Sequence, residues 1–187
     1  MSGVRAQISE CTDGHQALAH VWRDFCEPED SYEVVRPDAV PAPFDRLLVH
    51  DEHMTERLRD FHGVGVELRV LAEQTRAELY SREILLTLPG AGQVVEYGVA
   101  RVHLGFVADP VRDEVLARRR PLGDILVQND VLRRIEPKWF YRFSADAAVV
   151  GHFRSAVGPE VYGRVATIFC DDAPAIELLE IVSGVRS

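Results

Sequence analysis

An arginine lies in a strand-like run, at a position where a buried strand would normally carry an aliphatic side chain. Arg82 alternates with Ile84 and Leu86, and alternate residues of a strand point to the same face of the sheet. If the aliphatic pair belongs to the core, the guanidinium group points inward as well. It stays protonated there, and its desolvation costs several kcal/mol unless an anion compensates it. Arg82 therefore requires a structural carboxylate or an anionic ligand.

Two glutamates near the C-terminus are candidate acid–base groups. Glu177 and Glu180 fall in the strand-like run 175–182, where alternation places them on opposite faces and aliphatic residues flank each one. The pattern leaves open which of the two faces the core. The ordinary alternative is that both are solvated acids of an edge strand.

A pair of histidines brackets two acids in the run 50–53. His50 and His53 have a spacing that is compatible with a metal site, but the sequence places no third ligand beside them. A solvated helix start is the simpler interpretation. The sequence also has no glycine-rich phosphate loop, paired CxxC motif, nucleophile elbow or HExxH helix. We therefore expect neither a metal nor a cofactor.

Composition limits the class of protein. The chain has 187 residues, 47% of them apolar, and a net charge of −9, which fits one globular domain and disfavours nonspecific binding to nucleic acid. No apolar run approaches the ~20 residues that a membrane span needs, and the polar N-terminus predicts no signal peptide. Cys11, Cys26 and Cys170 have no metal-ligand spacing, which favours free thiols in a reducing cytoplasm.

Helical and strand-like patterns alternate along the chain. Apolar spacing predicts helices at 13–26 and, in broken form, at 44–62, and Asp109-Pro110 begins another that runs to about 119. Strands are predicted at 64–70, 78–88, 94–106, 161–170 and 175–182. Prolines make 31–43 an extended connector. We therefore predict an N-terminal extension at 1–43 and one α+β domain with an antiparallel sheet at 44–187.

Four segments, taken in order, resemble the bacterial chorismate pyruvate-lyase (4-hydroxybenzoate synthase) family. They are the leucine pair, acidic residues and Met-Thr of 47–57, the Ser-Arg-Glu-Ile-Leu-Leu run 81–86, the Pro-Leu-Gly element of 121–126, and Tyr-Gly-Arg at 162–164 with the strand after Pro174. The resemblance covers about three-quarters of the chain. It implies a six-stranded antiparallel sheet with helices packed on it, and an internal site that is covered by flaps.

The resemblance also implies an activity and a set of site residues. The family cleaves chorismate to 4-hydroxybenzoate and pyruvate without a cofactor. By matched position, Arg82 would bind the ring carboxylate, while Met54 and the Leu122-Gly123 pair would help to hold the ligand. The run Glu180-Ile181-Val182 resembles the family's catalytic glutamate and the short apolar run that follows it, if one residue is inserted after Pro174.

Glu177 is the fallback for this catalytic acid, because the inserted residue leaves the alignment of the last strand ambiguous. The chain departs from the family elsewhere too. The family's small-Arg-Thr sequence is replaced by Gly-Val-Ala-Arg at 98–101, residues 1–43 have no counterpart, and 138–158 is unusually aromatic.

We therefore predict a cofactor-free lyase that acts on chorismate. Two alternatives remain: an enzyme of the same fold that acts on another small carboxylate in secondary metabolism, and a non-catalytic ligand-binding module like those of some transcription regulators. The 43 N-terminal residues are too few for a winged-helix DNA-binding domain. We expect a small-molecule partner, with no nucleic acid and no membrane, and the sequence predicts no oligomeric state.

Overall fold

Seven strands and five α-helices are formed by the residues that the computed structural model describes, which are 8–25, 31–90, 92–156 and 160–185. The helices are α1 (Gly14–Trp22), α2 (Phe44–Leu48), α3 (Met54–His62), α4 (Asp109–Ala117) and α5 (Leu122–Gln128). The strands are β1 (Tyr32–Val35), β2 (Glu67–Arg76), β3 (Leu79–Thr87), β4 (Val94–His103), β5 (Arg133–Ser144), β6 (Glu160–Cys170) and β7 (Ala173–Val182). Short 3₁₀ helices span Ile8–Glu10, Pro37–Ala39, Leu104–Phe106 and Ala148–Ala156.

The strands form one antiparallel sheet in the order β1-β5-β6-β7-β4-β3-β2. Strands that follow one another in the sequence pair in four places: β2 with β3, β3 with β4, β5 with β6, and β6 with β7. Strand β7 also pairs with β4, and this pairing connects the two halves of the sheet. The predicted α+β class is confirmed, although the sheet has seven strands rather than about six. The strand β7 lies near the middle of the sheet, so its residues are not edge residues.

The two strands that the sequence analysis did not predict are β1 and β5. Strand β1 lies inside the segment that we expected to be an extended connector, and it pairs with β5 at the edge of the sheet. Strand β5 begins before the aromatic segment 138–158 and runs into it. The boundary at residue 43 stays a prediction, but residues on its N-terminal side belong to the same sheet.

Helix α1 covers one face of the sheet. Asp13 begins this helix by accepting a hydrogen bond from the backbone N–H of Gln16 at 2.9 Å. Its apolar residues, including Leu18 and Trp22, pack with aromatic residues of β5 such as Tyr141 and Phe143 in one buried cluster. The aromatic residues of 138–156 therefore contribute mainly to the core under α1.

Helices α2 to α5 lie on the other face, where α3 and α5 approach each other closely. Gly123, the second residue of α5, has no side chain to separate them: a Cβ there would collide with Thr55 Oγ1 and lie 3.2 Å from His53 Cβ. The absence of that atom lets the N-terminal ends of α3 and α5 meet above the sheet. Helix α3 ends at Gly63, whose φ of 71° is left-handed.

The two cysteines that the structure describes, Cys11 and Cys170, form no disulfide with each other. Cys26 lies outside the described residues. Within those residues, the helices are too short or too polar to cross a bilayer.

Candidate functional site

A cavity lies between the sheet and the N-terminal ends of α3 and α5. It contains about 500 Å³ of space that protein atoms do not fill, part of it open to solvent. Strands β3, β4 and β7 form its floor, and the two helix ends cover it. Its lining residues are His53, Met54, Thr55, Leu68, Arg82, Ile84, Leu86, Glu96, Gly98, Val99, Ala100, Pro121, Leu122, Gly123, Ile168, Leu178, Leu179 and Glu180.

Arg82 reaches this cavity from β3 and is only 2% exposed. The predicted inward orientation is therefore confirmed. Among the described residues, no acceptor contacts its Nε or Nη1 atoms. Burial lowers the pKa of Arg82, and Tyr80 and Glu73 partly oppose this effect, but an arginine still carries its charge at neutral pH.

A candidate for a structural counter-ion of Arg82 is Glu73, its cross-strand partner on β2, whose charge acts on it. Glu73 is engaged elsewhere, because it accepts a hydrogen bond from Tyr80 Oη at 2.8 Å and forms an ion pair with Arg118. No salt bridge of 4 Å or less joins it to Arg82 in the described part of the chain. Of the two possibilities that the sequence left open, the geometry favours an external anion.

Glu180 reaches the same cavity from β7, and it is buried. Its Oε2 accepts a hydrogen bond from Arg164 Nε at 2.6 Å, and the two residues face each other directly across β6 and β7. The alternative that Glu180 is a solvated edge acid is wrong, because β7 is flanked by strands on both sides. The catalytic role of Glu180 stays a prediction.

Arg164 binds Glu180 and also holds the backbone segment that precedes α3. This arginine has no exposed surface, and its Nη1 donates to the backbone carbonyls of Leu48 and His50 at 2.9 and 2.7 Å. Its Nη2 donates to the carbonyl of Glu52 at 3.3 Å. The ion pair therefore connects the cavity floor to the segment that leads into its cover.

Glu96 is a cavity residue that the sequence analysis missed. It lies on β4, is 4% exposed, and its Oε2 has no hydrogen-bond partner among the described residues. Burial raises its pKa well above the usual range, the negative charge of Glu180 adds to this effect, and Arg164 partly opposes it. Strand alternation could have identified Glu96 as an inward-facing residue. It alternates with Gly98 and Ala100 in the run 94–103, just as Arg82 alternates with aliphatic residues.

Glu177, the fallback acid, is not a cavity residue, and this assignment is corrected. Strand alternation turns its side chain to the face under α1, where its carboxylate contacts His20 Nε2 at 2.9 Å and accepts from Arg101 Nη1 at 2.7 Å. It also accepts from the backbone N–H of Ile8 at 2.8 Å. Burial tends to raise its pKa, but hydrogen bonds from His103 and His20 and the charges of His20 and Arg101 bring it well below the usual range.

Met54, Leu122 and Gly123 all line the cavity, as the first residues of α3 and α5. The first N–H groups of a helix have no acceptor within that helix. Near them, Thr55 Oγ1 is buried and has no hydrogen-bond partner among the described residues. The cover of the cavity thus combines helix N-termini with an unused hydroxyl group.

His53, which precedes α3, is buried rather than solvated. Burial, followed by the charges of Arg133 and Arg164, lowers the pKa of His53 to about 4, and its Nε2 accepts a hydrogen bond from Arg133 Nε at 2.5 Å. The pKa of His50 is also lowered to about 4, chiefly by burial. The described residues contain no group of three or more His, Cys, Asp or Glu side chains that could hold a metal ion.

Comparisons with known proteins show the fold. No protein-family model matches the chain, and no curated protein matches it either. Among solved structures, PhnF from Mycobacterium smegmatis is 13% identical with a TM-score of 0.55, over 76% of this chain and 68% of that chain. This likeness supports the α+β architecture that the resemblance implied.

Two further structures are more distant. The possible transcriptional regulator YydK from Bacillus subtilis subsp. subtilis str. 168 is 9% identical with a TM-score of 0.44, over 67% of this chain and 58% of that chain. The gene product SA0254 from Staphylococcus aureus subsp. aureus N315 is 12% identical with a TM-score of 0.45, over 63% of this chain and 81% of that chain. These values carry no functional argument, and membership of the chorismate pyruvate-lyase family stays a prediction.

Proposed function

We propose that the cavity binds a small organic carboxylate, and that the chain is a cofactor-free lyase that cleaves chorismate to 4-hydroxybenzoate and pyruvate. One observation carries this proposal: Arg82 is buried in the cavity wall, and its Nε and Nη1 contact no acceptor among the described residues. A planar guanidinium group matches a carboxylate through two parallel hydrogen bonds. A ligand carboxylate would supply the missing acceptors and fix the orientation of the attached ring.

Chorismate carries a second carboxylate, on its enolpyruvyl group, and the cover of the cavity offers a site for it. The nine-residue helix α3 begins at the cavity, and its first two residues, Met54 and Thr55, are in the lining. The N-terminal end of a helix carries a partial positive charge that favours anions. The unused hydroxyl of Thr55 adds a neutral donor at the same place.

The reaction needs little chemistry from the protein. The bond between the ring carbon and the ether oxygen breaks, and the neighbouring ring carbon, which bears the hydroxyl, loses its hydrogen as a proton. The electron pair of that C–H bond completes the aromatic ring, and the proton ends on the methylene carbon of the released enolpyruvate, which becomes pyruvate. A cavity that holds one conformer of the substrate and shields the reacting carbons from water favours this step.

Glu180 is the group that would act near the ring hydroxyl. One carboxylate oxygen is held by Arg164 at 2.6 Å, which keeps the side chain in one position within the cavity. The carboxylate accepts a hydrogen bond from the ring hydroxyl, and it also offers a route for the proton. Direct transfer within the substrate is the alternative route, and Glu180→Gln distinguishes the two routes as described in the Discussion.

The test is a turnover assay with a matched control. The purified chain is incubated with chorismate, pyruvate is followed with lactate dehydrogenase and NADH, and 4-hydroxybenzoate is quantified by chromatography. We expect equal amounts of both products, loss of turnover in Arg82→Met, and unchanged turnover in Arg36→Met, which removes an exposed arginine. Absence of pyruvate from the unmodified chain would refute the lyase activity.

A binding module without catalysis is the second candidate. It is favoured by the ion pair between Glu180 and Arg164, because a carboxylate that is already paired is a weaker base. Tight binding of 4-hydroxybenzoate without any pyruvate release would support this candidate. Neither binding nor turnover would point to a different carboxylate substrate.

A further inference from the structure

We infer that Glu96 is a specificity-determining residue of this cavity: it donates a hydrogen bond to a ligand hydroxyl group while Glu180 accepts one from the same hydroxyl. The inference rests on the proposed function for the identity of the ligand. It adds a requirement on the substrate class, which becomes a carboxylate with a hydroxyl group at its far end.

The sheet register brings the two glutamates close together. Glu180 lies directly opposite Gly98 across β4 and β7, and Glu96 lies two residues from Gly98 on the same face. Diagonal neighbours of this kind are about 7–8 Å apart at the backbone, which is within reach of two glutamate side chains. A hydroxyl group between two carboxyl oxygens requires them to be about 5 Å apart.

Gly98 lets the side chain of Glu96 lie close to the floor of the cavity. A Cβ at this position would lie 3.2 Å from both Glu96 Oε1 and Ile84 Cδ1. Gly98 also lines the cavity, so its missing side chain lets the carboxyl group of Glu96 lie at the cavity floor, on the same face as Glu180. The free Oε2 of Glu96 has no other described partner.

The distance between Arg82 and Glu96 suits an elongated ligand. Arg82 is paired with Ala100 across β3 and β4, and Glu96 lies four residues further along β4, which corresponds to about 13 Å of strand. Both side chains extend into the cavity from these positions. A ring with a carboxylate at one end and a hydroxyl at the other fits between them.

Burial, and then the negative charge of Glu180, raise the pKa of Glu96 and explain why it would donate rather than accept. The groups that line the cavity with it are Glu180 on β7, Arg82 on β3 and His53 at α3, and Arg164 on β6 contacts Glu180. Arg164 and Glu180 compensate each other, and the pKa of His53 lies at about 4, so this histidine is neutral at pH 7. With a protonated Glu96, the positive charge of Arg82 remains available for one ligand carboxylate.

A hydroxyl group fits this arrangement better than other substituents, because it is both a donor and an acceptor. An amine donates to Glu180 but accepts poorly from Glu96, and a hydrogen atom does neither. A site that is built to bind a hydroxyl group leaves polar atoms unpaired when the hydroxyl is missing, and this unpaired state weakens binding.

The first experiment compares three ligands by isothermal titration calorimetry at pH 7: 4-hydroxybenzoate, 4-aminobenzoate and benzoate. We expect the unmodified chain to bind 4-hydroxybenzoate about tenfold more tightly than the other two. Glu96→Gln, which keeps a donor, should retain this preference within about threefold. Glu96→Met should lose it by weakening 4-hydroxybenzoate binding about tenfold, with benzoate unaffected.

Glu67→Met is the control for the glutamate-to-methionine substitution itself, because it makes the same replacement at an exposed position of β2 outside the cavity. It should leave all three affinities unchanged. A preference for the hydroxyl that survives in Glu96→Met would overturn the inference. So would loss of 4-hydroxybenzoate binding in Glu96→Gln, because it would mean that an ionised Glu96 is required.

A second measurement does not depend on the choice of ligand. Infrared spectroscopy of the ligand-free chain at pH 7 should show the carbonyl band of a buried protonated carboxyl group, and this band should disappear in Glu96→Gln. If the band is present but no benzoate binds and no pyruvate is released, the proposed function fails while the protonated Glu96 stands. If the band is absent, the inference fails whatever the turnover assay gives.

Discussion

Replacement of Arg82 by methionine should stabilise the folded state and weaken ligand binding. In the ligand-free state the guanidinium group is buried at 2% exposure, and its Nε and Nη1 have no acceptor among the described residues. This arrangement costs free energy that the ligand would recover. Methionine has a similar length and fills the same volume without a charge.

The expected free-energy changes have opposite signs: Arg82→Met should stabilise the folded state and weaken ligand binding. Apolar replacement of buried charges is often stabilising by about 1–4 kcal/mol, and we take about 1–2 kcal/mol for Arg82. For a chain of this size, that corresponds to a rise in Tm of about 2–8 °C. Loss of one partner of a buried charge pair costs about 2–5 kcal/mol of binding, which is about 30-fold or more in Kd.

Arg164→Met is the matched comparison on the same face of the sheet. Arg164 is also fully buried, but it is paired with Glu180 and donates to three backbone carbonyls. Its removal leaves a buried carboxylate without its partner, so it should cost about 3–5 kcal/mol of stability. The two arginine variants should therefore shift Tm in opposite directions.

The assay is thermal unfolding of both variants with and without saturating 4-hydroxybenzoate, together with calorimetric titration. The ligand should raise the Tm of the unmodified chain but not the Tm of Arg82→Met. If Arg82→Met lowers Tm as much as Arg164→Met does, and its ligand affinity is unchanged, then Arg82 is a structural cation and the reasoning is refuted.

Three further predictions concern other residues. Glu180→Gln should reduce kcat far more than it weakens 4-hydroxybenzoate binding if Glu180 moves the proton, and equal losses in kcat and Kd would make it a positioning residue. Gly163→Ala should cost about 1–3 kcal/mol in denaturant unfolding, because the new Cβ would lie 2.8 Å from the backbone oxygen of Glu180. Gly151→Ala, which meets nothing within 4 Å, is its control. The lowered pKa of His53, about 4 against an ordinary value of 6.5, means that the unfolded chain binds this proton first. The contribution of His53 to stability is therefore fully present above pH 6.5 and falls by about 3 kcal/mol toward pH 4. His53→Gln should remove this contribution and reduce the pH dependence of stability in urea unfolding, while His50 keeps its own contribution; an unchanged slope would contradict the assignment.

The sequence predicted those parts of the fold that depend on local pattern. Strand alternation gave β3, β4 and β7 within a few residues of their bounds, and it predicted the inward side chain of Arg82. It did not predict β1, because four residues between prolines carry too short a pattern to distinguish a strand from a connector. It missed β5 because Pro137 interrupts the run, and the register there shifts between Pro137 and Trp139.

Only the tertiary structure identified which of the two glutamates reaches the cavity. Alternation told us that Glu177 and Glu180 lie on opposite faces, but both faces of β7 are buried, so hydrophobic neighbours could not say which face holds a cavity. Packing decided it. Helix α1 covers the face of Glu177, where His20 of α1 and Arg101 of β4 contact its carboxylate, whereas the helix ends of α3 and α5 leave an unfilled space above Glu180.

The sequence by itself determined that the cationic side chain of Arg82 would face the interior, because the two-residue period of a strand is a local property of the backbone. Only the tertiary structure decided whether that cation would find a partner within the chain. The answer depends on which side chains from distant strands share its cavity, and on where Glu73 and Glu180 find their own partners. Such contacts join residues that are far apart in the sequence, so no local pattern encodes them.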